Sequence, residues 1–123
     1  MELRFITRPW PLIVGFYRKL VHVSGWRLEP MLELVEYIDT SPYATGLFGA
    51  TSHDELHVGR VSDFARGDND LCIRFDPEAR QFTFTYQQRE DDHRPWSVTS
   101  TEAEGLQTFK HLLHKRLRWF QES

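Results

Sequence analysis

Two short runs of strict alternation, separated by a proline turn, constrain this chain more than any other feature. Leu71, Ile73 and Phe75 alternate with Cys72 and Arg74, and Phe82, Phe84 and Tyr86 alternate with Thr83 and Thr85. Period-two alternation on both sides of a turn is the mark of an antiparallel pair with one buried face. Between the runs lies Asp76-Pro77-Glu78-Ala79-Arg80. Aspartate and proline in its first two positions suit a type I turn. A sheet with one apolar face needs a cover, so the rest of the chain has to supply amphipathic helices.

Three segments carry that pattern. In residues 11–23, Leu12, Ile13, Phe16, Tyr17, Leu20 and Val21 recur at helical spacing, and Ser24-Gly25 supplies a stop. A buried strand over Leu12–Phe16 is the rival reading. A second helix starts near Pro30, shows Met31, Leu34, Val35 and Ile38 on one face, and ends at Ser41-Pro42. A long third helix is expected from 101 to 121. Thr101 and Glu104 have capping-box spacing, and Leu106, Phe109, Leu113, Leu117 and Phe120 form its apolar face.

Further strands are expected over 2–7, within 43–54, over Leu56–Ser62 and over Trp96–Thr99. The expected architecture is therefore α+β: an antiparallel meander packed against a long C-terminal helix, with one or two N-terminal helices. At 123 residues, 40% of them hydrophobic, and with no repeat or linker, a single domain over 1–123 is expected.

Charge and cysteine content narrow the function. Fifteen basic against eighteen acidic residues leave a net charge of −3, which argues against a nucleic-acid partner. The lone Cys72 makes no internal disulfide, the N-terminus lacks the form of a secretory signal, and the longest apolar run is too short for a bilayer. A cytoplasmic protein with no membrane partner is expected.

No motif secures catalysis. Thr51-Ser52-His53-Asp54 places hydroxyl, imidazole and carboxylate together, but triad residues come from separated segments, and local turn bonding is the simpler role. His53/His57 and His111/His114 have spacings that could share an ion, yet zinc needs three or four converging donors. Neither a metal nor a cofactor is expected. Cys72 reads as a small residue of a strand.

Surface charge and aromatics point instead to a protein partner. Glu29, Glu33 and Glu36 share one arc of the second helix, with Asp39 at its edge, and Glu90, Asp91 and Asp92 sit in a charged tip. Such patches steer a basic partner, although negative charge near a helix start also complements the helix dipole. Four tryptophans are many for this length, and Trp119 lies where it can either pack on the sheet edge or anchor a partner.

The runs Ser41-Pro42-Tyr43 and Thr51-Ser52-His53-Asp54, the strand–turn–strand from Arg74-Phe75-Asp76-Pro77 to Phe82-Thr83-Phe84, and the closing amphipathic helix together give a chain that resembles small bacterial proteins of the toxin-immunity type. The resemblance implies a protein that binds a toxin domain and occludes it, with specificity in surface charge and aromatic anchors and without catalytic residues. It carries over no site residues. A small enzyme using the Ser52/His53/Asp54 region, or a structural or assembly subunit, is the alternative.

Overall fold

The computed structural model describes residues 4–88 and 95–121. Helix α1 (Trp10–His22) and helix α2 (Glu29–Asp39) come first, followed by a 3-10 turn at Pro42–Thr45. Five strands then run β1 (Phe48–Ser52), β2 (Glu55–Gly59), β3 (Asp70–Asp76), β4 (Gln81–Gln87) and β5 (Trp96–Thr101). Each pairs antiparallel with the next, so spatial order equals chain order. Helix α3 (Gly105–His111) closes the fold and continues as a π turn over Leu112–Arg116. The expected α+β class and antiparallel meander are what the chain forms.

The β3–β4 hairpin follows the alternation. Phe75 faces Phe82 and Ile73 faces Phe84 across the pair, all four buried. Its turn is wider than a type I turn. The Arg80 N–H donates to the Asp76 carbonyl at 2.7 Å, the Glu78 and Ala79 N–H groups donate to Asp76 Oδ1, and Arg80 closes the turn at φ 56°. The aspartate side chain thus satisfies two backbone donors that the strands cannot reach.

All three helices lie against the apolar face of the sheet and share one core with it. Residues 11–22 are helical and the strand alternative over Leu12–Phe16 is excluded. Helix α1 buries Trp10, Ile13, Val14 and Tyr17 and ends before Gly25, which takes φ 73°. Gly49 of β1 lets α1 approach the sheet, since a β-carbon there would lie 2.7 Å from Ile13 and from Trp10.

The C-terminal helix is shorter than the sequence suggests. The Glu104 N–H does donate to Thr101 Oγ1, at 3.2 Å, but this bond closes the turn leaving β5, and the helix begins at Gly105. At the other end the backbone widens, with the Leu117 N–H reaching the Leu112 carbonyl. Arg118 then reverses the chain at φ 56°. The Trp119 and Phe120 rings fold back onto Tyr86 and Tyr43 respectively. Aromatic docking ends the helix, with no glycine or proline to announce it. In consequence α3 covers the β4–β5 end alone, and α1 and α2 cover the rest.

Residues 2–7 do not form a full strand in the described portion. Arg4 bridges Ala65, Arg8 bridges Gly49, and the Phe5 N–H donates to the Phe64 carbonyl. Phe5 turns onto the outer face of the sheet, where it makes a second small core with Ala50 and Phe64. Strand β2 stops at Gly59, not Ser62, because Gly59 sits against the Phe64 ring and the chain leaves the sheet there. Among the described residues no helix is long and apolar enough to cross a membrane.

Candidate functional site

Among the described residues, two places matter for the chemistry-bearing side chains they bring together. The first is a cleft between α2 and the turn from β5 into α3. Pro30, Leu34, Phe82, Ala103 and Leu106 form its apolar floor, and Glu33 and Glu102 stand at its rim, around a volume of about 330 Å³. Leu106 remains 39% exposed although it belongs to the apolar face of α3. The cleft continues past Pro30 and Glu102 to Glu29, Arg27 and Arg80. Arg80 Nη2 holds Glu102 Oε2 at 2.6 Å.

The arc of glutamates on α2 is real but divided. Glu29 and Glu33 face this cleft. Glu36 turns to α1, where Arg18 Nη2 lies 3.6 Å from its Oε2. Asp39 is half-buried at the helix end. Glu90, Asp91 and Asp92 lie outside the described residues. Trp119 is half-buried: its ring packs on Tyr86, the Arg60 guanidinium lies 5.8 Å from its ring centre, and Arg60 Nη1 donates to its carbonyl. Its ring is engaged within the chain, against β4. Trp10 is buried, while Trp26 is exposed.

Ser52, His53 and Asp54 do not converge. Ser52 ends β1, and His53 and Asp54 form the turn into β2, where His53 is exposed at φ 57°. Ser52 Oγ accepts from Arg66, and the Asp54 carbonyl accepts from the Tyr17 hydroxyl. His114 meets the Tyr43 hydroxyl through Nε2 at 2.6 Å, while His111 is exposed.

The second place lies on the outer face of the sheet and was not legible as a site. His57 faces Cys72 across the β2–β3 pair. Glu55 precedes His57 by two residues on β2, and Asp70 and Arg74 flank Cys72 by two on β3, so all five side chains share one face. His57 Nδ1 lies 2.9 Å from Asp70 Oδ1, and these side chains are only 4% and 3% exposed. Asp70 Oδ2 also accepts from the Gly67 N–H at 3.0 Å. His57 Nε2 is buried and makes no hydrogen bond, with Glu55 Oε2 3.4 Å away. The Cys72 thiol donates to the same Glu55 oxygen at 3.5 Å. Arg74 Nη1 lies 3.6 Å from Glu55 Oε1.

Phe5 covers the imidazole from one side, its ring centre 4.3 Å away. His57, Asp70 and Cys72 also line a cleft of about 320 Å³, together with Arg66, Thr85 and Gln87. Burial pushes the Cys72 thiol up to about 12, helped by the Glu55 charge and hydrogen bond and then by Asp70, while Arg74 opposes. At neutral pH the thiol is protonated and a poor nucleophile on its own. The signal that could have disclosed this cluster is the pair of polar-face patterns Glu55-x-His57 and Asp70-x-Cys72-x-Arg74 on neighbouring strands.

Comparison with protein-family models, with curated proteins and with solved structures gave no match.

Proposed function

We propose that this chain is a protein-binding module that seats a basic, partly apolar segment of its partner in the cleft between α2 and α3. The observation that carries the reading is the exposed Leu106 on an apolar floor beside the exposed Glu33, with Glu102 at the rim paired to Arg80. A lysine or arginine suits such a surface, because its aliphatic stem covers the floor while its head meets the Glu33 carboxylate. Like-charged partners are repelled by the same rim, which gives selectivity as well as attraction. The finer form of the proposal is an immunity protein that occludes a bacterial toxin domain by this face. The Ser52/His53/Asp54 alternative lacks comparable support, since the Ser52 hydroxyl is held by Arg66 and His53 is exposed in the turn.

The test is differential capture from host lysate with wild type, Glu33→Lys and Leu106→Asp as baits. One stoichiometric partner, retained by wild type and at least tenfold depleted by both variants, supports the reading. Equal retention by all three baits, or no retained protein, counts against it.

A further inference from the structure

The geometry points to a zinc site on the outer face of the sheet, formed by Glu55, His57 and Cys72, with Asp70 as the residue that positions His57. One donor atom from each of the three lies within 4.8 Å of the others. The separations of Glu55 Oε2 from His57 Nε2 and from Cys72 Sγ are 3.4 and 3.5 Å. Zinc bonds of roughly 2.0–2.3 Å at tetrahedral angles place neighbouring donors about 3.3–3.8 Å apart, so these two edges already have the required length.

The imidazole is set for the role. With Nδ1–H donated to Asp70, the neutral imidazole presents its lone pair on Nε2, and Gly67 fixes Asp70 in turn. A carboxylate behind a histidine that presents its other nitrogen is the usual support of a zinc ligand. That other nitrogen is the buried Nε2 without a hydrogen bond. A buried polar atom left so is uncommon and calls for a ligand. Glu55 is divided between its two oxygens: Oε1 toward Arg74 and Oε2 toward the proposed ion.

Donor chemistry selects the metal. Sulfur and imidazole nitrogen favour zinc over calcium or magnesium, which take oxygen. Binding displaces the thiol proton to solvent, and the resulting thiolate, the Glu55 carboxylate and neutral His57 balance a dication. Three protein donors beside an open cleft leave a fourth position for water or a small anion, the pattern of zinc sites that remain accessible.

The competing arrangement has no ion: a protonated His57 bridges Asp70 and Glu55. Cobalt separates the two. The full chain is freed of metal with a chelator and titrated with Co²⁺, then with Zn²⁺. A thiolate-to-cobalt charge-transfer band that saturates at one equivalent and is bleached by zinc is expected. Cys72→Ser should abolish the band, and Glu55→Gln should weaken binding at least tenfold. Asp70→Asn should keep the band but weaken binding by about 10–100-fold. No band in the wild type, or a band that survives Cys72→Ser, overturns the site. Circular dichroism of the metal-free Cys72→Ser and Glu55→Gln variants shows that each is folded.

Discussion

His57 Nδ1 and Asp70 Oδ1 are 2.9 Å apart in a part of the sheet from which solvent is almost excluded. The pair joins β2 to β3 on the face opposite the three helices, and through Gly67 it also ties down the loop before β3. A bond to a charged acceptor contributes about 1.5–3 kcal/mol, more than a neutral one. Asp70→Asn is therefore expected to lower stability by about 2 kcal/mol in urea unfolding. A change below about 0.5 kcal/mol would show that the pair contributes little.

Tyr17 makes stability depend on alkaline pH. Burial, then the charges of Asp54, Cys72 and Glu55, raise its pKa well above the ordinary value of about 10. Above pH ~10 the unfolded chain loses the phenolic proton while the folded chain keeps it. The folded state then binds more protons, and stability falls as pH rises. Cys72 acts in the same direction from about pH 9. Tyr17→Phe loses the hydrogen bond to the Asp54 carbonyl, a loss of about 1 kcal/mol at pH 8. It should also flatten the decline between pH 10 and 11. Urea midpoints measured across pH 8–11 check this, and parallel curves for the two proteins would refute it.

Gly105 offers a test of packing against propensity. An alanine in a helix is worth up to about 1 kcal/mol over glycine. At this position, however, a β-carbon would lie 2.3 Å from the buried Phe82 ring. Overpacking of that kind typically costs about 1–3 kcal/mol. Gly105→Ala is expected to destabilise, and a raised melting temperature would contradict the close approach of α3 to β4.

The proposed binding face should separate from stability. Leu106 and Glu33 are exposed, so Leu106→Asp and Glu33→Lys should change stability by no more than about 0.5 kcal/mol. Glu33→Lys should weaken the captured complex and make its affinity less sensitive to salt. Thermal melts beside titrations at two salt concentrations distinguish this from misfolding. A large stability loss would make the binding effect indirect.

What the sequence disclosed depended on how local each determinant is. The alternation at Leu71–Phe75 and Phe82–Tyr86 is read within a few residues, and the hairpin forms as expected. The apolar stripes of α1 and α2 are equally local. The end of the third helix is not, because Trp119 docks on Tyr86 and Phe120 on Tyr43, partners that lie far away in the chain. The glutamate arc of α2 was legible as an arc. Its division between Arg18 and the cleft depends on how α1 and α3 pack. The His57 cluster required the β2–β3 register, which alone sets His57 opposite Cys72.

The binding face is tested most directly by a photo-crosslinking residue placed at Leu106 in one protein and at Thr99, an exposed position on the opposite face of the sheet, in another. Both proteins are irradiated in host lysate. A single protein cross-linked from position 106 and absent from position 99 is the expected result. A cross-link from position 99 alone, or none from 106, would contradict a partner seated between α2 and α3.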